Sequence, residues 1–465
     1  MGAPDTALDR YEPGQQGETL PGEATALAQP YSRGINIVGH SDLDRRGGNL
    51  AMAWAGHCAY VANGVQVLAN GMLEKQPVGP TSGVAVIDAG DPAGPQVVSY
   101  LQDRGAIEAV ETIHAVVAPG RAVLAASTYS GVTGMPGSAT EGWLSIYDVS
   151  DCAHPVLKAE VRWPEPVHTI TISPNGQRVY GTVVQPFTGD GGLQVMDISD
   201  MSQPRSVGKF PVTRADGTSF VFAPHEVSIS ADERRIYAGV NASHSDDLNV
   251  GLATFPPNPA ALGPEGGGVY ILDNSDIAAE RPDPKLRLVG TLPHGGWHSV
   301  VEARIGGVQH LVGTGELGAC PGAWPRISNI ADEASPRIVG EFRLAMNHPE
   351  NCPPPTAFES ATGGMVGSAG TATSHFNDVD DASNTRLGLF PMMWAGLRIA
   401  DLRQPANPVE IAYFKPGDAC MSHIRYQADS GHIWLACQES GFWIIELRPE
   451  LRAELGLGIT PPTRR

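Results

Sequence analysis

The sequence has little charge, few aromatic residues and no long apolar run. Charged residues make up 17 % of the 465-residue chain and aromatic residues 6 %. No stretch of about 18 consecutive apolar residues occurs, which excludes a membrane-spanning helix. Basic residues are scarce as well, 31 against 50 acidic ones. The resulting net charge of −19 argues against nucleic acid and anionic membrane surfaces as partners.

Cysteine is sparse, and no two cysteines form a C-x-x-C pair. We therefore expect reduced, mostly buried thiols. Cys320 and Cys352, each followed by proline, are the two that would pair if the protein is exported. The first 30 residues lack the basic start and apolar stretch of a secretory signal, so a cytoplasmic location is the default expectation. Export after removal of a signal stays open. The six cysteines are Cys58, Cys152, Cys320, Cys352, Cys420 and Cys437.

Glycine and proline, in contrast, are abundant, with 55 and 39 residues. The hydrophobic share of 42 % is ample for a folded core, so this composition does not indicate disorder. Many turns combined with a real core indicate many short strands.

One pattern recurs seven times along the chain. It consists of a small residue, alternating apolar residues, an Asp or its substitute, a short polar turn and a Pro. The alternation has a period of two, which predicts a strand, and the Asp suits a turn because it bonds nearby backbone amides. A second strand follows each turn and a hairpin precedes each copy, so every unit has four antiparallel strands. The copies begin at Gly83, Gly142, Gly192, Gly268, Pro325, Gly396 and Gly441.

Seven four-stranded units predict an all-β fold, a single seven-bladed β-propeller that spans residues 33–447. Residues 1–32 are expected to form a flexible arm and residues 448–465 a C-terminal tail. The seventh unit has no fourth strand of its own, whereas residues 33–40 match the fourth-strand type of residues 336–341. We therefore expect the N-terminal strand to complete the last blade.

The repeats resemble a known family. The run Gly396-Leu-Arg-Ile-Ala-Asp401, with Pro408 following, is similar to the LVIVD repeat, and the runs that start at Asp148 and Asp197 are close to it as well. The resemblance covers roughly residues 33–447 and is weakest in the fifth copy. It implies a β-propeller fold and implies hardly anything about activity.

Histidine stands at the start of the first strand in six of the seven units. In the first unit the corresponding place falls at Gly48 or Asn49. The first strand of a propeller blade is the innermost one, so we expect six imidazoles to converge at one mouth of the central channel. These residues are His114, His168, His225, His298, His375 and His423.

Converging neutral imidazoles favour copper, iron and zinc, and they are poor ligands for calcium and magnesium. The sequence therefore predicts a transition-metal site, copper or iron first and zinc next, in a metal-dependent oxidoreductase that acts on a small molecule. The alternative is a non-catalytic scaffold for protein–protein interaction in which the histidines are structural. A lactonase-like hydrolase with axial calcium is disfavoured, because that chemistry needs Asp, Glu and Asn on the axis.

Several carboxylates and one further histidine lie close in sequence to the six candidate histidines. One or two of the carboxylates would orient a metal-binding imidazole, although each taken singly is expected to be a solvated surface charge. Strand alternation is expected to turn Glu226 away from the channel. His294, on a glycine-rich turn, is a weaker candidate at the same mouth. The carboxylates are Glu111, Glu226, Glu302 and Asp378.

Long insertions between the strands are expected to lie mostly on the histidine side of the ring, where loops on a rigid scaffold form pockets and lids. The last of them follows a fourth strand, and a simple linker is an equally good interpretation for it. The insertions are 128–141, 185–191, 241–267, 316–324 and 344–374.

Overall fold

The computed structural model describes residues 30–67, 73–130, 141–185, 190–240, 268–293, 297–315, 323–351 and 373–458. Strands dominate these residues, and no helix among them is long and apolar enough to cross a membrane. The α-helices are short, Arg104–Ile107, Ser275–Ala278 and Pro449–Glu454, and the 3-10 helices are Leu43–Arg45, Ala345–Asn347 and Pro349–Asn351.

Seven sheets, each built on four antiparallel strands, follow one another along the chain, which confirms the predicted seven-bladed propeller. Blade 1 comprises Ala51–Ala55, Cys58–Ala62, Val84–Asp88 and Gln96–Leu101, and blade 2 comprises Ile113–Ala118, Arg121–Ser127, Trp143–Asp148 and Val156–Arg162. Blade 3 comprises Ile170–Ile172, Arg178–Gln185, Asp190–Asp197 and Arg205–Phe210, and blade 4 comprises Glu226–Ile229, Arg235–Val240, Gly268–Asp273 and Leu286–Pro293.

Blades 5 to 7 follow the same order of strands. Blade 5 comprises Ser299–Ile305, Val308–Thr314, Arg326–Asn329 and Arg337–Glu341, and blade 6 comprises Asp378–Val379, Leu387–Pro391, Leu397–Asp401 and Val409–Lys415. Blade 7 comprises Arg425–Gln427, His432–Cys437 and Gly441–Leu447, with Ile35–Ser41 in the fourth place. Five short strands add a separate hairpin (Val65–Val67, Leu73–Lys75) and extend blade 4 (Val212–Thr213, Ser219–Phe220) and blade 6 (Tyr31–Arg33).

A register shift recurs at the same place in each blade, where the third and fourth strands pair; in blade 3 it lies between Val195 and Met196. In blades 4 and 5 the fourth-strand residue at the shift packs against the turn of the next blade. A Cβ atom added to Gly290 or Gly340 would lie 1.9 Å from a backbone oxygen there, that of Glu333 or Pro405. This close approach explains why both positions are held by glycine.

The N-terminal strand occupies the corresponding position in blade 7. Ile35–Ser41 pairs antiparallel with Gly441–Leu447 and carries the same register shift. A Cβ atom added to Gly39 would lie 2.0 Å from the Pro92 carbonyl oxygen in the turn of blade 1. Gly39 in blade 7 therefore approaches the turn of blade 1 in the same way as Gly290 in blade 4 approaches the turn of blade 5. Residues 1–29 of the expected arm lie outside the described residues.

Seven apolar cores fill the spaces between neighbouring blades. Alternating side chains of each strand point to opposite faces of the sheet, so each blade contributes to the core on either side of it. Blades 7 and 1 share such a core, in which Trp434 and Ile444 pack near Met52 and Val61. Residues from the two ends of the repeat array thus share one apolar core.

The expectation of reduced thiols is wrong for the four described cysteines. Cys58 is bonded to Cys152, and Cys420 to Cys437. The first pair is 94 residues apart in sequence and meets only because blades 1 and 2 pack together, which the spacing of the cysteines does not reveal. Cys320 and Cys352, whose pairing was considered, lie outside the described residues.

Candidate metal centre

Four of the six histidines occupy one equivalent position in consecutive blades. Each donates its backbone N–H to a carbonyl near the end of the second strand of its own blade. Because this bond is the same in blades 3 to 6, the four side chains start from the same height in the ring. The pairs are His168 with Thr182 (2.8 Å), His225 with Gly239 (2.7 Å), His298 with Thr314 (2.6 Å) and His375 with Pro391 (3.2 Å).

In blade 2 this position belongs to Glu111, three residues before His114. Ser127 donates its N–H to the Thr112 carbonyl at 2.9 Å, and blade 3 makes the same bond one residue after His168. Glu111 is therefore the structural equivalent of His168. The sequence carries a signal for it, since Thr-Ile follows both residues.

Blades 1 and 7 place other residues at this height. In blade 1, Leu50 donates its N–H to the Ala62 carbonyl at 3.1 Å, so the position is Leu50 and not Gly48 or Asn49. In blade 7, Arg425 pairs with Trp434. That register puts His423 one residue further along than the four aligned histidines, with Ser422 at the equivalent place.

The aligned residues form a contiguous arc, which we call the histidine–glutamate cluster: Glu111, His168, His225, His298 and His375. Consecutive imidazole centroids are 4.2, 4.0 and 4.1 Å apart. The carboxylate of Glu111 lies 3.8 Å from His168 Nε2, 3.5 Å from His298 Nε2 and 3.6 Å from His375 Nε2. All five side chains are buried.

Backbone carbonyls fix the tautomers of two of these rings. His168 Nδ1 lies 2.9 Å from the Ser130 carbonyl oxygen, and His375 Nδ1 lies 2.8 Å from that of Met421. A carbonyl only accepts, so each Nδ1 carries a proton, and in the neutral ring Nε2 then presents its lone pair. The lone pair of His168 Nε2 lies 2.7 Å from His225 Nε2 and accepts a hydrogen bond from that ring. The lone pair of His375 Nε2 instead faces the Glu111 carboxylate at 3.6 Å, an arrangement that is repulsive unless a proton or a metal cation lies between them.

Burial and the neighbouring charges shift the pKa of Glu111 in opposite directions. Burial by itself raises the pKa of Glu111, but the close approach of His298 and His375 and the charges of His375 and His168 outweigh it, so the pKa lies well below its ordinary value. Burial, followed by the charges of His298 and His168, lowers the pKa of His225 far below its ordinary value. The cluster thus combines an anionic carboxylate with at least one neutral imidazole.

Two sets of donor atoms that share Glu111 each have a spacing that suits one ion. Glu111 with His298 and His375, and Glu111 with His168 and His225, each offer donor atoms that all lie within 4.8 Å of one another. Three atoms so spaced have a common point within about 2.8 Å of each, so a contraction of about 0.7 Å reaches the ~2.1 Å of a metal–imidazole bond. His57, Cys58 and Cys152 form a third such group, but their two sulfur atoms are joined in a disulfide.

The two other predicted histidines lie beside the cluster. His423 Nε2 is 3.1 Å from Glu226 Oε1, so the side chain of blade 7 meets that of blade 4 across the middle of the ring. The expectation that Glu226 turns away from the channel is therefore wrong, because its carboxylate meets the His423 ring there. Phe376 stacks on His423 at 3.6 Å and lies 4.8 Å from the His298 ring, which places it between the two groups.

His114 is half-buried within the first strand of blade 2. Its Nδ1 accepts the backbone N–H of Ile172 at 3.2 Å, so His114 bonds to the neighbouring blade 3 and not to the cluster. Burial lowers the pKa of His114 to about 4, and the charge of His423 acts in the same direction.

The remaining sequence candidates do not border the cluster. Asp378 is a channel carboxyl whose pKa burial raises to about 7, with smaller effects from the charges of Asp380 and Glu226. Glu302 accepts the Gln309 side-chain amide at 3.1 Å. His294 and most of each long insertion lie outside the described residues.

The fold and the cluster together define a seven-bladed β-propeller with a candidate metal centre near its axis. The LVIVD repeat model matches residues 188–211, which contain the last two strands of blade 3. The chain thus carries an LVIVD repeat, as the resemblance predicted.

No curated protein matches the sequence. Similar solved structures include one titled as the mitotic checkpoint complex, with 10 % identity, a TM-score of 0.48 and coverage of 96 % of this chain and 97 % of that chain. Sqt1 of Chaetomium thermophilum (10 %, 0.48, 89 % and 98 %) and Sqt1 of Saccharomyces cerevisiae (8 %, 0.48, 87 % and 82 %) are similar to the same degree. Likeness at this level says nothing about function.

Proposed function

We propose that the histidine–glutamate cluster binds one transition-metal ion and that the protein is a metal-dependent oxidoreductase acting on a small molecule. The observation that carries the proposal is the carbonyl-bonded ring of His375, whose Nε2 lone pair faces the Glu111 carboxylate at 3.6 Å. A cation between these groups turns a repulsive arrangement into a favourable one. Four imidazoles and one carboxylate suit copper or iron, with zinc as the alternative.

Redox chemistry is favoured over simple charge stabilisation by the surroundings of the cluster. Imidazole and carboxylate are the donors by which proteins hold redox-active iron and copper. The cluster is buried, which keeps bulk water away from reactive species. His114 and His423 are only half-buried and border the same channel, so a small molecule would reach the cluster past Phe376 and the His423–Glu226 pair.

The experiment is elemental analysis of protein purified without a histidine tag, for the wild type, His298→Gln and His310→Gln. His310 is the matched control, because it is buried in the second strand of the same blade and its Nδ1 bonds the Val308 carbonyl at 2.9 Å. We expect close to one metal ion per chain in the wild type and in H310Q, and a loss of the ion in H298Q. A potentiometric titration of the metal-loaded wild type then tests for a reversible redox couple.

Two results would contradict the proposal. A wild-type protein that binds no transition metal, or an H298Q variant that retains it, would leave the non-catalytic scaffold as the better interpretation. Stoichiometric metal without any redox couple would retain the metal site and remove the oxidoreductase.

We also propose that the protein works in an oxidising compartment. Structural disulfides are typical of exported proteins and rare in the cytoplasm, so the pairs at Cys58–Cys152 and Cys420–Cys437 favour the second of the two locations considered from the sequence. Alkylation of free thiols at the moment of cell lysis, followed by mass spectrometry, tests this. Alkylated Cys58 and Cys420 would contradict it.

Closure of the ring by the N-terminal strand is a third proposal, supported by the pairing of Ile35–Ser41 with blade 7 and by the contact of Gly39 with Pro92. A Gly39→Ala substitution forces a side-chain atom against that backbone and should lower the free energy of unfolding by about 1–3 kcal/mol. Gly79→Ala is the control, since nothing lies within 4 Å of the added Cβ. Equal stability of the two variants would contradict closure.

A further inference from the structure

The segment that leads into blade 7 is tied to two blades beside the cluster. Cys420 donates its N–H to the Met393 carbonyl in blade 6 at 3.0 Å and forms a disulfide with Cys437 at the end of the second strand of blade 7. Cys420 and Cys437 are both fully buried. The covalent bond therefore fixes the main chain at Cys420 relative to blade 7.

The next residue, Met421, contacts the cluster through its backbone. Its carbonyl oxygen accepts the Nδ1 proton of His375 at 2.8 Å, and His375 Nε2 is thereby directed to within 3.6 Å of Glu111 Oε1. Outer partners of this kind set the tautomer and the orientation of a metal-binding imidazole. One residue thus separates the disulfide from the carbonyl that orients a cluster histidine.

We propose that Cys420–Cys437 is a positioning disulfide of the metal centre, holding the Met421 carbonyl so that His375 Nε2 points at the ion. The inference rests on the proposed function, because it concerns metal binding by the same cluster. The Gln438 side chain also contacts Met421 Sδ at 2.9 Å, and the Ser422 hydroxyl accepts the Ala436 N–H at 2.8 Å. These contacts keep the segment in place without the disulfide, so we expect weakened rather than abolished binding.

The second disulfide provides a matched control within the same chain. Cys58 begins the second strand of blade 1, whereas the cluster height in that blade is at Leu50, opposite the end of the strand at Ala62. Cys58–Cys152 therefore links two blades at the edge of the sheet away from the cluster. Its removal tests the loss of a disulfide without a change in the orientation of a cluster histidine.

The first experiment compares Cys420→Ser/Cys437→Ser with Cys58→Ser/Cys152→Ser in the full chain. Zn(II) affinity is measured by competition with a chelator, and the Cu(II)-loaded forms are compared by electron paramagnetic resonance. We expect about tenfold weaker zinc binding and an altered copper spectrum in the first variant, and wild-type behaviour in the second. Wild-type affinity and spectrum in both variants would overturn the positioning role, whereas a wild type that binds neither metal would overturn the proposed function instead.

A second measurement uses the wild type alone and does not depend on the folding of a variant. Coupling between two equilibria is reciprocal, so a disulfide that strengthens zinc binding tenfold must itself be stabilised tenfold by zinc. The protein is equilibrated in a glutathione buffer, in which two glutathione molecules give two electrons and two protons to the disulfide and become oxidised glutathione. We expect zinc to shift the equilibrium of Cys420–Cys437 about tenfold towards the disulfide. Cys58–Cys152 should not shift in that direction, because its thiols join His57 as zinc donors once they are reduced; equal shifts of both pairs towards the disulfide would overturn the inference.

Discussion

Replacing Glu111 by glutamine is the substitution that most directly tests the charge balance of the cluster. Glutamine keeps the size of the side chain and one oxygen donor but removes the negative charge that faces three imidazole nitrogens at 3.5, 3.6 and 3.8 Å. The metal-free protein should tolerate the change. Metal binding should not, because the charge of a divalent cation is then left without an anionic partner in a buried site.

The magnitude follows from the spacing of the donor atoms. A dipositive ion about 2.8 Å from the carboxylate has a Coulomb energy of roughly 12 kcal/mol at an effective dielectric constant of 20. Most of this offsets the desolvation of the two charges. Even a surviving quarter, about 3 kcal/mol, corresponds to a dissociation constant more than 100-fold higher in Glu111→Gln.

The assay is isothermal titration of the metal-free protein with Zn(II) and Cu(II), with Glu302→Gln as the control. Glu302 lies on the first strand of blade 5, four residues after His298, and bonds the Gln309 amide. The control changes the net charge of the protein by the same amount, so a general electrostatic effect would weaken metal binding equally in both variants. Equal affinity in E111Q and E302Q would refute the assignment of Glu111 to the metal centre.

Two further predictions concern stability. The Cys58–Cys152 disulfide joins residues 94 apart in sequence and Cys420–Cys437 joins residues 17 apart. Chain entropy therefore predicts that removing the first lowers the free energy of unfolding by about 1.5 kcal/mol more than removing the second, although only the second removal should alter metal affinity. Urea unfolding of the two serine variants measures the difference. Burial lowers the pKa of His114 from 6.5 to about 4, so the folded state binds fewer protons than the unfolded state between these pH values. Its contribution to stability therefore falls as the pH drops through that window, by on the order of 2 kcal/mol for a half-buried ring. His114→Gln should flatten this dependence, whereas His154→Gln, at an exposed side chain, should not.

The fold could be predicted from the sequence because each blade repeats the same local chemistry. Period-two alternation identifies the strands, and the conserved spacing of glycine, Asp and proline within this chain marks the third strand and the turn after it. The disulfides could not be predicted, because Cys58 and Cys152 belong to different blades and meet only through the curvature of the ring. Local patterns define a blade, whereas contacts between blades depend on how the blades pack.

The candidate site was predictable in part for the same reason. Counting from histidine to histidine treats His114 and His423 as equivalents of the other four. Strand pairing instead places His114 three residues, and His423 one residue, after the position that the four aligned histidines occupy in their blades. Register is fixed by backbone hydrogen bonds and not by residue type, and a shift of one residue changes the face of the sheet to which a side chain points.

Glu111 illustrates what a search for repeated residues misses. A propeller gives its blades equivalent positions, whereas the proposed metal centre uses different side chains at them. A carboxylate beside four neutral imidazoles would offset part of the charge of the ion. One blade of the arc therefore carries a carboxylate where its neighbours carry histidine. Glu111, which breaks the repeat, would supply the negative charge of the proposed metal centre. The Thr-Ile that follows both Glu111 and His168 identifies it better than its residue type does.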